Sequence, residues 1–490
     1  MSDLGNQIVT GGMCSMRRRA AIGLLVCLVL AGACGGRVSQ EQVLAEAAAD
    51  GSSFGAASGN RNALGSDGDL VGDADLVGTV GSVGGDRSGS GGEGGTSGVV
   101  DPDSTKPPGG NGGDTDVGVT VDKIILGNVS TLSGPVPGLF RGALVGAQAW
   151  AAMVNSKGGI DGRLIEVKSG DDALDTGRNK NAHKALKDLV FAFVGSFSVT
   201  DGGGVSELQN TNIPDVGTPL DPNRFKLPNN FAPGPLPPGW ETGPAKYYMK
   251  TFGPQPMKKT AFFVAAVETA RIQARRERAV LESLGYEIVY TREVQPNEPN
   301  YTGDVIQMRN QGVQNFVFEG QADQIAGLIN AMAEQNFRPT LLNPGATSYA
   351  EAFLKLTGKN SDGSRIDVTH ALFLDPDNPL PEVQLFRQWM NKVDPNQDVD
   401  LFALYAWASG RMIEKALRDA GPAVTRDKVL AALGTVTKFD ANGLIAPVNP
   451  AGKQPSDCFV VVRIQGGKFV REHPASGFDC TTGGFQPLKE

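Results

Sequence analysis

Residues 121–172 constrain the fold of this chain more than any other stretch, because they have the pattern of a complete βαβ unit. A β-branched apolar run at 124–126 leads into a loop of Ser, Gly and Pro. A helix follows, whose apolar side chains recur at three- and four-residue spacing. Gly158 and Gly159 end that helix, since glycine accepts the left-handed conformation that closes a helix end. A second strand is predicted at 164–167, and two parallel strands joined by a helix indicate a parallel sheet covered by helices.

The same α/β alternation continues along the chain. Apolar strands are predicted at 190–194 and 213–216, and a Pro-rich passage at 228–243 is predicted to be irregular and to cross into a second lobe. A second alternating set fills 260–356. A strand at 370–374 then returns to the first lobe, helices are predicted within 381–433, and a hairpin at 459–471 follows.

The predicted fold class is α/β, with two Rossmann-like lobes whose parallel sheets are joined by several crossovers. We assign 118–240 plus 371–445 to lobe 1 and 241–370 plus 446–490 to lobe 2. Ligands of parallel sheets bind beyond the carboxyl ends of the strands, where the loops at 130–138, 196–201 and 218–221 are expected.

The N-terminal sequence has the pattern of an export signal. Three arginines at 17–19 precede an apolar run at 20–33, which is shorter than the about 20 residues that span a bilayer. Cys34 follows directly and resembles the lipidated cysteine of a bacterial lipoprotein; an ordinary cleaved secretory signal is the alternative. We therefore predict a lipoprotein signal peptide at 1–33.

Residues 34–117 are rich in Gly and Ser and show neither helical nor strand periodicity. Such a segment cannot bury enough surface to offset its ordering entropy. About 80 residues of Gly-rich coil span roughly 50 Å. We predict a flexible tether between the membrane surface and the folded lobes.

The chain has five cysteines. Cleavage removes Cys14 and Cys27, and lipid takes Cys34. The remaining pair, Cys458 and Cys480, is predicted to form a disulfide in an oxidising compartment; two free buried thiols are the alternative.

The amino-acid sequence of the first βαβ unit resembles that of a known protein family. TLSGP, then VNSKGGIDGRLIEV at the helix end, then GDDALD, stand in the order found in periplasmic-type solute-binding proteins of the branched-chain amino acid (Leu/Ile/Val) group. These are receptors of ATP-driven importers with the type 1 periplasmic binding protein fold. The resemblance covers residues 118 to about 480.

The resemblance also implies where a ligand binds. Family members hold an amino acid with backbone and hydroxyl groups from the loops after strands three and four, and an aromatic residue from the first loop covers it. In lobe 2 the position that usually carries a carboxylate for the ammonium falls in 343–346, which has none; Glu319 or Asp221 is the predicted substitute. Helix capping is the alternative role for the polar residues. The predicted ligand-binding residues are Ser133, Phe140, Ser198, Thr200, Asp201, Thr218, Leu220, Asp221, Glu268 and Glu319.

Enzyme signatures are missing from the sequence. It contains no GxSxG, GxxxxGK[ST] or HExxH motif, and its three histidines lie far apart. Asp171 and Asp172, between a strand and a helix, are interpreted as turn and N-cap residues. The net charge of −8 argues against nucleic-acid binding. No catalytic residue, metal or cofactor is predicted.

The sequence therefore predicts a substrate-binding lipoprotein on the outer face of the cell membrane. Its expected partners are a small solute, such as an amino acid or a related amide or organic acid, and the permease subunits of an ABC importer. The alternative is a ligand-sensing receptor of the same fold that acts through a membrane partner.

Overall fold

The computed structural model describes residue 107 and residues 109–136 and 138–489. The predicted signal peptide, Cys34 and most of the predicted tether lie outside these residues. None of the helices within the described ranges combines the length and apolar character that a membrane span requires.

The first lobe is built on a five-stranded parallel sheet with the order β2-β1-β3-β4-β5. Its central strands are almost fully buried, as expected for strands covered on both faces. The strands are β1 (Lys123–Ser130), β2 (Leu164–Asp171), β3 (Ala192–Val194), β4 (Asp215–Val216) and β5 (Asn230–Phe231).

Helices from both ends of the chain cover this sheet. The early ones are α1 (Arg141–Ser156), α2 (Thr176–Leu186), α3 (Val205–Leu208) and α4 (Pro222–Lys226), and the late ones are α11 (Pro381–Val393), α12 (Leu401–Ala420) and α13 (Arg426–Leu433). Helices α1 and α12 approach closely because Gly410 leaves room for the indole ring of Trp150. The indole Nε1 donates to Glu414 Oε2 at 3.1 Å.

The second lobe contains a four-stranded parallel sheet with the order β10-β9-β7-β8. Its strands are β7 (Thr260–Ala265), β8 (Ile288–Val294), β9 (Asn315–Glu319) and β10 (Leu341–Asn343). The helices in this part of the chain are α5 (Gly243–Phe252), α6 (Pro254–Met257), α7 (Glu268–Ser283), α8 (Thr302–Asn310), α9 (Ala322–Glu334) and α10 (Glu351–Thr357). Both lobes therefore follow the α/β pattern that the sequence predicts.

Two small antiparallel sheets complete the fold. The strands β11 (Arg365–Val368), β12 (Val460–Gln465) and β13 (Lys468–His473) form one, and β6 (Gly239–Glu241) pairs with β14 (Phe485–Pro487) in the other. The predicted hairpin is β12–β13, turning at Gly466 and Gly467, both of which have positive φ. Cys458 and Cys480 form the predicted disulfide.

Three local predictions are wrong. The Pro-rich passage at 228–243 contains β5 and β6, since its prolines stand outside the paired residues 230–231 and 239–241. The expected strand at 370–374 is absent from the described structure, where His370 makes only an isolated bridge to Ile445; the chain instead forms β11 just before it. Asp171 and Asp172 form turn hydrogen bonds, but the N-cap of α2 is Asp175.

The last residues assigned to the tether are packed onto the first lobe. The Arg163 guanidinium donates to the carbonyl oxygens of Asn111 and Gly113, the latter at 2.8 Å. Asp116 Oδ2 accepts from the backbone N–H of Arg426 at 2.7 Å. The buried Arg163 side chain is thus satisfied by carbonyl oxygens, and these long-range contacts leave no periodic signal in the sequence.

Candidate functional site

Two neighbouring cavities lie at the carboxyl ends of the two parallel sheets. The first, which we call the acidic cavity, has a volume of about 240 Å³ and reaches the ends of β9 and β10 at Glu319 and Asn343. The second, the adjoining cavity, has a volume of about 180 Å³ and reaches the loops after β3 and β4 at Phe197, Thr218 and Leu220. Each sheet therefore presents its strand ends to one of the two spaces, as expected for ligand sites of parallel sheets.

The two cavities share five lining residues from three separate crossings between the lobes. The first crossing contributes Pro235, Leu236 and Glu241, the second Thr369, and the third Pro455. The cavities are thus two halves of one cleft beside the segments that join the lobes.

Three residues of the first lobe show how polar the adjoining cavity is. Thr218 is almost fully buried, and its Oγ1 has no hydrogen-bond partner among the described residues. The Tyr405 hydroxyl lies 3.0 Å from Thr369 Oγ1. Phe197 packs against Phe140 with ring centroids 5.2 Å apart. This half of the cleft is mainly apolar, with one unsatisfied hydroxyl.

Of the predicted ligand-binding residues, Thr218, Leu220 and Glu319 line the cleft. Phe140 does not reach it: the side chain is 1% exposed and packs between Phe197 and Phe402. Phe197, against which Phe140 packs, lines the adjoining cavity instead.

Four predicted polar residues are instead used to fix loops of the first lobe. Ser133 donates to Asp171, which also accepts from the Leu132 N–H at 2.9 Å. Ser198 Oγ lies 2.9 Å from Thr200 Oγ1, which donates to Asp172. Asp221 caps α4 by accepting from the Asn223 N–H at 2.7 Å. Asp221 therefore takes the capping role that the sequence left open, whereas Ser133, Ser198 and Thr200 hold their loops through hydrogen bonds to carboxylate or hydroxyl groups.

Asp201 positions the loop that borders the adjoining cavity. Its carboxylate accepts from the backbone N–H groups of Leu220 at 2.8 Å and Asp221 at 3.0 Å. Burial raises the pKa of Asp201 to about 7, against the opposing effect of Arg224. Asp201 therefore acts on the cleft through the backbone that it holds.

Glu268 lies outside both cavities. Its side chain is 65% exposed and forms ion pairs with Arg271 and Arg275 at 3.4 Å each. Carboxyl groups of the second lobe other than Glu268 face the cleft.

The acidic cavity contains four carboxyl groups from four elements: Glu241 on β6, Glu277 on α7, Glu319 on β9 and Asp367 on β11. Sequence reasoning identified only Glu319. Glu277 stands in the run ARRER, which is typical of a solvated helix face, and Asp367 precedes the strand that was predicted too late in the chain. No periodicity in the sequence signals that these side chains meet.

The surroundings of these carboxyl groups favour their neutral forms. Burial raises the pKa of Glu241 to about 8, helped by the nearby Asp367 and Asp457. Burial and the neighbouring Glu319 raise the pKa of Glu277 well above its usual value, so that Glu277 stays protonated and donates a hydrogen bond to Glu319. Asp367 accepts from the Tyr248 hydroxyl at 3.1 Å, although burial still raises its pKa.

A metal site does not fit this arrangement. Across the described ranges, no three Asp, Glu, His or Cys side chains converge in a geometry that could hold a metal ion. The four carboxyl groups are spread around an organic-ligand-sized space that also has aromatic walls, such as Trp240 and Tyr286.

Comparison with known proteins agrees with this fold and cleft. The family model for periplasmic binding proteins matches residues 123–468, and the chain belongs to that family. No curated protein sequence is significantly similar to the chain.

Solved structures share the fold at low sequence identity. The fatty acid ABC transporter substrate-binding protein of Thermomonospora curvata has a TM-score of 0.62 at 17% identity, covering 75% of this chain and 95% of its own. LivJ of Streptococcus pneumoniae, solved with isoleucine, has a TM-score of 0.57 at 16% identity, covering 72% and 100%. The leucine-binding protein LivK of Thermotoga maritima has a TM-score of 0.57 at 14% identity, covering 71% and 97%. The fold is thus the one expected from the first βαβ unit.

Proposed function

We propose that this protein is the extracytoplasmic substrate-binding subunit of an ABC importer. It takes a small solute into the cleft between its two lobes and passes it to membrane permease subunits. The observation that carries this proposal is the pair of cavities that share residues from all three crossings between the lobes. Similar structures are named for importers of amino acids and fatty acids, which supports the transport role.

The cleft also supports a hinge mechanism. A solute that contacts strand ends of both sheets, near Thr218 and near Glu319, bridges the lobes and favours the closed arrangement. The linking segments at 235–241, 367–369 and 455 line the site itself, so closure changes the shape of the cavity walls directly.

Lipid attachment at Cys34 would hold this subunit beside its permease. Cys34 directly follows the apolar signal segment. We expect the wild-type chain to fractionate with membranes and the Cys34→Ser variant to be released; retention of the variant in membranes contradicts the anchor.

A thermal-shift screen tests the transport proposal. Amino acids, amides, amines, short peptides and fatty acids are added singly to the exported chain. A true ligand at a hundredfold excess over its dissociation constant adds about 2.7 kcal/mol to the free energy of unfolding. A class that raises the melting temperature in this way supports the proposal, whereas enzymatic turnover of the bound compound, or no shift with any class, contradicts it.

A further inference from the structure

The acidic cavity carries no compensating positive charge on its walls. Its described lining residues include Glu241, Glu277, Glu319 and Asp367 but no Lys, Arg or His. Arg276 on α7 is not among these lining residues, and its guanidinium donates to the Leu236 carbonyl at 3.3 Å. Four carboxyl groups around one enclosed space are costly to ionise unless a cation enters.

Buried hydrogen-bond acceptors on the walls of this cavity also lack partners. The Asn315 side chain is 1% exposed; its Nδ2 donates to Thr260 at 3.0 Å, but its Oδ1 is unpaired. Glu277 is 7% exposed, and its Oε2 is likewise unpaired. Buried acceptors left in this way are normally satisfied by a donor, and each costs free energy until one arrives.

The third unpaired wall atom is a donor, unlike the other two. Gln273 Nε2 is a buried donor without a partner. Rotating the amide by 180° exchanges its oxygen and nitrogen. In the rotated form Gln273 also presents an acceptor to the cavity.

We propose that the acidic cavity selects an organic cation: an aliphatic or aromatic amine with one or two ammonium groups and no carboxylate. Its N–H groups would satisfy Asn315 Oδ1 and the Glu277–Glu319 pair, and its carbon skeleton would lie against Trp240 and Tyr286. This inference rests on the proposed function and names the solute class for the same cleft.

The carboxyl cluster distinguishes this class from the ligands in the names of similar structures. A fatty acid would place its carboxylate beside groups that already resist ionisation. An amino acid would gain at its ammonium, but for its carboxylate the described lining offers no charged partner and only one buried unpaired N–H donor, Gln273 Nε2. An amine has the ammonium group that these carboxyl groups favour and no carboxylate that needs a partner.

Proton release should accompany binding. The ammonium group stabilises ionised carboxylates, whereas the empty cavity holds Glu241 with a pKa of about 8 and keeps Glu277 protonated. Below pH 8 the cation must displace a proton, so affinity falls as pH falls. The other groups that face this cluster are Asp367, Asp457, Tyr248, Tyr286, Tyr405, Arg276 and Arg365.

Isothermal titration with a matched five-carbon series tests the proposal. The probes are 1,5-diaminopentane, pentylamine, 5-aminopentanoate and pentanoate, with leucine as the amino acid. We expect 1,5-diaminopentane to bind the exported chain at least tenfold more tightly than 5-aminopentanoate, and pentanoate not to bind. The affinity for 1,5-diaminopentane should rise at least tenfold from pH 6 to pH 8. Titrations in buffers of different ionisation enthalpy should reveal proton release.

Isosteric variants locate the binding. Glu277→Gln and Glu319→Gln keep the shape of the neutral side chain and should each weaken diamine binding at least tenfold. Glu282→Gln is the matched control on the same helix, since Glu282 is exposed and pairs only with Arg278 at the surface; it should leave binding unchanged.

The outcomes separate this inference from the proposed function. Tightest binding by leucine or pentanoate overturns the cation preference and leaves the importer role standing. Failure of both amines to bind the wild-type chain also overturns it, whatever the variants do. Diamine binding that is equal in wild type, Glu277→Gln and Glu319→Gln places the cation elsewhere and overturns the assigned cavity.

Discussion

Replacing Arg224 by methionine is expected to lower the free energy of unfolding by about 3–5 kcal/mol. The guanidinium donates to both carboxylate oxygens of Asp215, at 3.0 Å from Nε and 2.8 Å from Nη2. The side chains are 3% and 1% exposed. Burial alone would raise the pKa of Asp215, but Arg224 outweighs it and holds the carboxyl ionised. Methionine leaves that charge buried without its partner.

Urea denaturation at pH 7 measures this change, with Arg278→Met as the matched control. Arg278 pairs with Glu282 on the surface of α7 at 2.8 Å, where both side chains are at least 40% exposed. Such a pair contributes at most about 1 kcal/mol. A loss for Arg224→Met no larger than that of the control contradicts the account. The result matters for the cleft, because Asp215 begins β4 and Thr218 follows that strand.

The disulfide is expected to contribute about 3 kcal/mol. Cys458 and Cys480 are separated by 22 positions, and closing a loop of that length removes this much chain entropy from the unfolded state. The cross-link lies beside reciprocal backbone hydrogen bonds between Phe459 and Asp479, at 3.1 and 2.9 Å. It therefore ties the C-terminal segment that carries β14 to the buried start of β12.

The Cys458→Ser/Cys480→Ser double variant and the wild-type chain are compared with and without dithiothreitol. We expect the reductant to lower the urea midpoint of the wild type to that of the double variant, and to leave the double variant unchanged. Equal midpoints for all samples would show that the bond is absent or without effect. Dependence on the bond accords with a protein that works outside the cytoplasm.

Local periodicity was sufficient to predict the lobes. The strands predicted at 190–194 and 260–264 are short apolar runs bounded by turn residues. They overlap the observed strands β3 and β7. The cysteine count likewise predicted the observed disulfide. The strands depend on neighbouring residues, whereas the disulfide prediction depended on the number of cysteines.

The cleft depends on residues far apart in the chain and was only partly predictable. Glu241, Glu277, Glu319 and Asp367 come from four elements, and no local pattern in the sequence links them. Family resemblance indicated the loops at Thr218 and Glu319, and both residues line the cleft. It could not tell Phe140, which is fully packed, from Phe197, which faces the space, since both follow strands of the same sheet.

Hydrogen exchange of the exported chain, with and without a pool of amines, amino acids and fatty acids, tests the central claim most directly. If a small solute binds between the lobes, the pool should slow exchange in the segments that line the cleft. These are residues 218–220, 235–241, 319–320, 343–347 and 367–369. Protection confined to other segments, or exchange unchanged throughout, would contradict a solute-binding cleft at this place.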